Sequence, residues 1–164
     1  LTGGHTVATS TYDGVQWAAP PARFEAGLGH YAGIAGTEAA LAYLSDLNLD
    51  DVHEHENKIN RIMSDGIRDL EGVTIIGPED ANRRGGICSI LLDEHLPSHD
   101  LAILLDEAAG VMVRSGRHCV HSWFEDRGVS GDSLRASAYF YTSEEDARRF
   151  VDVFSEAVNA FNAA

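Results

Sequence analysis

The chain has 164 residues and an ordinary apolar fraction of 44 %, enough for a folded core and too apolar for a disordered segment. Its net charge is -14, from 26 acidic residues against 12 basic ones, which argues against nucleic acid, whose phosphates need a basic face. No apolar run is long enough to span a bilayer, no signal-peptide pattern opens the chain, and it begins at Leu1 without methionine, so a fragment of a longer protein is expected.

Eleven of the basic residues are arginine, and Lys58 is the single lysine. An acidic surface stripped of lysine keeps a protein soluble where salt screens charge over about 3 Å at 1 M. A salt-adapted, haloarchaeal source is expected, with an acidic mesophilic domain as the alternative.

In chain order, residues 5–17 predict a hairpin turning at Asp13-Gly14, ended by Pro20-Pro21. Residues 23–36 are glycine-rich and read as a loop leading into a helix over Ile34 to Leu47, with Leu41 and Leu44 on its apolar face. Asp51 and Glu54 make a capping-box signature for a helix reaching Leu70, with Ile59, Ile62, Met63, Ile67 and Leu70 as its stripe. Strands are predicted at Val73 to Ile76 and Gly86 to Leu92, around a polar loop at 79–85. Ser98 caps a helix over His99 to Ala109 that Gly110 stops. Val111 to Arg114 reads as a short strand and Leu134 to Tyr141 as a longer one. Thr142 or Ser143 caps the last helix, whose first turn is acidic. The order β-β-α-β-β-α after the leading helices predicts an α+β layer.

Two cysteines are present, and their spacing is neither that of a metal pair nor that of a redox motif. Cys88 lies in an apolar strand pattern and reads as a buried core thiol. Cys119 is different. It sits in Arg114-Ser115-Gly116-Arg117-His118-Cys119-Val120-His121, where two arginines and two histidines crowd one thiol. A thiol reacts as thiolate, and cationic neighbours favour that form. His118 and His121 either raise the thiolate population or relay protons, or are solvated loop residues. His53 and His55 are two apart, so they do not share a helix face, and a metal reading has little to support it.

The Arg-x-Gly-x-His-Cys run, followed by Ser133-Leu134-Arg135-Ala136-Ser137, resembles the C-terminal part of cysteine desulfurases of the class V aminotransferase family, the SUF type or selenocysteine lyase-like group. Leu1-Thr2-Gly3-Gly4-His5, Arg23-Phe24-Glu25-Ala26-Gly27 and Gly33-Ile34-Ala35-Gly36-Thr37-Glu38-Ala39-Ala40 are similar to the same family in the same order. The resemblance implies the small C-terminal α+β domain of a fold-type I pyridoxal phosphate enzyme over residues 33–164, preceded at 1–32 by the end of the large domain. It implies that Cys119 accepts sulfur from L-cysteine as a persulfide, leaving alanine, for iron–sulfur assembly. It implies that Arg135 grips the substrate carboxylate, with Arg114 and His118 as further substrate-binding residues. Pyridoxal 5'-phosphate is the implied cofactor of the full-length protein, a cytoplasmic homodimer that hands sulfur to an acceptor protein.

The pattern departs from the family in two places. Leu28 stands where the family has a threonine for the cofactor phosphate, leaving the Gly27 and Gly29 amides, or His30, as substitutes. The family's Schiff-base lysine lies upstream of the Gly-Gly-His segment, so the chain alone is expected to be inactive. Two alternatives stay open: a stand-alone partner-binding or sulfur-carrier domain, or an aminotransferase or epimerase relative that does not use the cysteine.

Overall fold

The computed structural model describes residues 3–163, so Leu1 and Thr2 of the first family-like segment lie outside the described residues. The chain divides into two compact units, with the break between Leu47 and Asn48. That break falls later than the expected boundary at residue 32, and the helix Tyr31–Ser45 belongs to the first unit.

The first unit opens with the expected hairpin. Strand β1 (Val7–Thr11) pairs antiparallel with β2 (Gly14–Trp17), Thr11 opposite Gly14 at the turn. A 3-10 turn at Ala22–Phe24 and a glycine-rich loop lead to helix α1 (Tyr31–Ser45). The helix starts three residues before its expected first residue, Ile34, because His30 ends the non-helical loop. It buries none of its residues, so the apolar face expected at Leu41 and Leu44 has no cover within its own unit.

The second unit carries the core. Helix α2 (Leu49–Ile67) starts before the expected Asp51–Glu54 capping box. Asn48, in extended backbone, is the cap, and its side chain accepts from the Asp50 amide at 3.1 Å. Ile59, Met63 and Ile67 of the predicted stripe are buried, and Ile62 and Leu70 pack against the same cluster.

Four antiparallel strands form the sheet: β3 (Val73–Ile76), β4 (Ile87–Leu92), β6 (Ser133–Ser137) and β5 (Arg114–Gly116), in that spatial order. Helix α3 (Ser98–Ala109) precedes β5, a short helix α4 (His121–Asp126) follows the cysteine, and α5 (Glu144–Asn162) closes the chain. Strand residues alternate faces. Cys88, Ile90, Leu134 and Ala136 point into a core shared with α2, α3 and α5, while Ser89 and Arg135 take the opposite face.

Three expected elements shift, each for a local reason. Ser98 is the first residue of α3, and Pro97 precedes it without a side-chain cap. Val111 and Val113 pack on the core cluster instead of pairing, so β5 begins at Arg114. β6 stops at Ser137 because Tyr139 to Thr142 forms a turn, with Thr142 N–H on the Tyr139 carbonyl at 2.9 Å. Ser143 then caps α5 in a full capping box with Asp146, one of the two expected caps. The α+β layer implied by the sequence is the observed one, with α4 added.

Candidate active site

Edge strand β5 and its neighbour β6 build the site. Their register sets Arg114 directly opposite Arg135, and on its other side Arg135 faces Ser89 of β4. The row Ser89, Arg135, Arg114 therefore crosses the sheet on the face turned away from Leu134 and Ala136. Like charges directly opposite one another are unfavourable. In a chain of net charge -14, two facing arginines would be expected to attract carboxylates. Among the described residues, no ion pair involves either guanidinium. The Nε of Arg135 is also buried without a hydrogen-bond partner.

Gly116 ends β5 at φ 114, a conformation that suits glycine, and Ser133 donates its hydroxyl to the Gly116 carbonyl at 2.9 Å. The chain then turns through residues 117–120, with the Val120 amide on the Arg117 carbonyl at 2.9 Å. His118 (φ 48) and Cys119 (φ 64) both sit in the left-handed region, which non-glycine residues rarely adopt. Cys119 is exposed, whereas Cys88 is fully buried in the core. Burial pushes the Cys88 thiol up, against the opposing Arg84 charge and Ser64 contact.

The four basic residues that flank Cys119 in sequence have unlike fates. Arg117 is committed to structure: it pairs with Glu125 at 2.7 Å and Asp132 at 3.5 Å, and donates to the Ser130 carbonyl at 3.2 Å. It also lies over the Phe124 ring at 5.5 Å. Of the three arginines at this site, Arg114 and Arg135 have no carboxylate partner among the described residues. His118 has both ring nitrogens buried without a partner. Burial first, then the Arg135 and Arg114 charges, push its pKa below the ordinary imidazole value, and Asp132 opposes them. His121 begins α4 and is exposed. The sequence reading missed the clamp formed by Arg117, Glu125, Asp132 and α4. A six-residue helix is too short to show a 3.6 period, and the adjacent Trp123-Phe124 pair was its one apolar signal.

Gly27, Gly29 and His30 belong to the first unit. The Gly27 amide donates to the Gly4 carbonyl at 2.9 Å, which leaves the Gly29 amide and His30 of the three groups expected at a phosphate. Its own carbonyl meets His5 Nδ1 at 3.0 Å. The Gly29 carbonyl accepts from the Tyr31 amide at 2.9 Å, and the His30 ring lies against Gly33. Lys58, the single lysine, is held by Glu144 at 2.5 Å. The described residues do not by themselves fit pyridoxal phosphate: the one amine is in an ion pair, and the proposed phosphate amide at Gly27 is spent. Among the described residues no cluster of His, Cys, Asp and Glu could hold a metal ion, and no helix is long and apolar enough to cross a membrane.

The sequence profile of the class V aminotransferases matches residues 1–150. The chain belongs to that family. Within it, the chain is 34 % identical over 161 residues to a cysteine desulfurase of Haloferax volcanii, covering 98 % of this chain and 37 % of that protein. It is 33 % identical over 151 residues to a probable cysteine desulfurase of Xylella fastidiosa, covering 92 % of this chain and 35 % of the relative. The apo structure of a cysteine desulfurase from Thermococcus onnurineus superposes with a TM-score of 0.80 at 32 % identity, over 98 % of this chain and 39 % of that one. The chain thus spans little more than a third of the length of these class V relatives.

Proposed function

We propose that this chain carries the sulfur-accepting and carboxylate-binding part of a cysteine desulfurase of the SUF type. The observation that supports it most is the facing pair Arg114 and Arg135, both without a carboxylate partner, on strands beside the loop that exposes Cys119. A guanidinium fork suits the two oxygens of an α-carboxylate. Arg135, half-buried and central in the sheet, is the primary grip on L-cysteine; Arg114 offsets the remaining charge, and His118 fills the space beside them.

The exposed Cys119 sulfur attacks the sulfur of the bound substrate. A sulfur–sulfur bond forms, the substrate carbon–sulfur bond breaks with its electron pair on carbon, and that carbon takes a proton to give alanine. Cys119 keeps the persulfide for an acceptor protein of iron–sulfur assembly. Pyridoxal 5'-phosphate would be held by the rest of the full-length protein and would supply an electron sink for the substrate there. A cytoplasmic homodimer completes the reading. The Haloferax relative and the lysine-poor acidic composition support a salt-adapted source.

The test is made on a full-length protein of the relatives' size. Cys119→Ala is expected to bring alanine and sulfide release from L-cysteine to background, and Arg135→Ala to raise KM by roughly 10- to 100-fold. An alanine variant at 119 that still desulfurates, or that leaves a transaminase activity as the main reaction, would overturn the reading in favour of an aminotransferase relative.

A further inference from the structure

His118 is placed unlike any other histidine of the described chain. Both its ring nitrogens are buried and unbonded, in a loop whose other side chains point to solvent or to acids. Among the described residues the imidazole has no hydrogen-bond partner, the Cys119 sulfur included, although the charges of Arg135, Arg114 and Asp132 all act on it. Its backbone and that of Cys119 both occupy the left-handed region, and such strain persists only where the surroundings over-determine it. On the N-terminal side the turn is fixed by Arg117, through Glu125 and Asp132. At residues 118–119 the one inward-packed side chain is the imidazole, because Cys119 points out.

We propose that His118 is a positioning residue whose imidazole acts as a wedge beside Arg135, locking the left-handed turn that presents Cys119, and not as an acid or base toward the thiol. Its importance to catalysis rests on the desulfurase reading, whereas the lock on the turn does not. The lock is also sensitive to acid. Protonation would set a third positive charge beside Arg114 and Arg135, with Asp132 the only opposing acid among the groups acting on it. The opened loop takes up the proton more readily than the closed one. The closed turn is therefore favoured at neutral pH and loses stability as pH falls below about 6.5.

The experiment compares His118→Ala, His118→Phe and the unaltered full-length protein. Hydrogen exchange over residues 117–120, corrected for intrinsic rates, is read at pH 7.5 and pH 5.5. His118→Ala is expected to speed exchange about tenfold at pH 7.5, while His118→Phe, which keeps a ring and has no titrating nitrogen, keeps it slow. The unaltered protein should speed up at pH 5.5 and the phenylalanine variant should not; should the larger ring prevent folding, His118→Leu takes its place. In activity, the alanine variant should lose about tenfold in kcat with KM within about twofold, and the ring variant should recover most of that loss. Alanine exchange equal to that of the unaltered protein, or a ring variant as loose as alanine, overturns the proposal. Exchange as expected in a protein that releases no alanine from L-cysteine keeps the wedge and overturns the desulfurase reading instead.

Discussion

The two compact units of this chain, apolar in similar proportion, use that apolar sequence in opposite ways. The second unit buries its stripe: Ile59, Met63, Ile67, Phe150, Phe154 and Val158 interlock behind a four-stranded sheet. The first unit has a helix as apolar as any, yet α1 buries nothing, and Tyr31, Ile34, Leu41 and Tyr43 are exposed along it. Apolar patterning alone therefore does not make a core. A stripe stabilises only where a second face closes on it, and the glycine-rich helix α1 has none within its own unit.

That contrast can be broken or sharpened by substitution. The largest effect should come from the core of the second unit. Phe154→Ala is expected to cost about 3–5 kcal/mol by urea unfolding, because it empties a fully buried site, whereas Leu41→Ala in α1 should stay within about 0.5 kcal/mol. A comparable loss at both positions would show that α1 is covered after all.

Two glycines, one in each unit, show the same contrast. A Cβ at Gly86 would run into the Ala138 carbonyl, where β4 and the end of β6 approach closely. Gly86→Ala is expected to destabilise by about 1–3 kcal/mol. Gly36, inside α1, has open space around it, so Gly36→Ala should gain roughly 0.5–1 kcal/mol of helix stability, read as the gain in helical circular dichroism on heating. A loss at Gly36 would mean that something packs there.

A smaller effect is expected at the start of α5. Ser143→Ala removes the hydroxyl half of the capping box, leaving the backbone amide of residue 143 on the Asp146 carboxylate, and should cost about 1 kcal/mol in thermal unfolding. The same box makes a pH prediction. Hydrogen bonds from Ser143 hold the Asp146 carboxyl below its ordinary value, and the hydrogen bond with Lys58 does the same for Glu144. A carboxyl whose folded pKa is lowered contributes stability above its unfolded value of about 4, lost as pH falls through the folded one. Acid titration of unfolding should therefore be less steep in Ser143→Ala, and an unchanged profile would remove Asp146 from the account.

Most of the second unit was legible in the sequence because its elements obey a period. The α2 stripe and the Val73–Ile76 strand were visible as spacing, and Cys88 as a core thiol within an alternating strand. Boundaries set by a turn were less legible. β5 begins at Arg114 because Val111 and Val113 face the core, and β6 ends early because Thr142 closes a turn on Tyr139. The α2 cap was misplaced because the Asp51–Glu54 spacing resembles a capping box, while Asn48, three residues earlier, combines extended backbone with a side chain that bonds the Asp50 amide. At the site, the sequence brought Arg114, Arg117, His118 and Cys119 together but could not say which way each side chain turns. Among the arginines of the site, the pairing of Arg117 with Glu125 and Asp132 separates a structural one from Arg114 and Arg135, which have no carboxylate partner among the described residues. The same holds at Gly27, whose amide partner, the Gly4 carbonyl, is not visible in the sequence.

The most direct test of the central claim, that Cys119 takes sulfur while Cys88 is a core residue, is mass mapping of the full-length protein after a brief incubation with L-cysteine and alkylation. One added sulfur atom on the peptide carrying Cys119, with Cys88 unmodified until the protein is unfolded, is the predicted result. Sulfur found on Cys88, or neither persulfide nor alkylation at Cys119 in the native protein, would contradict it.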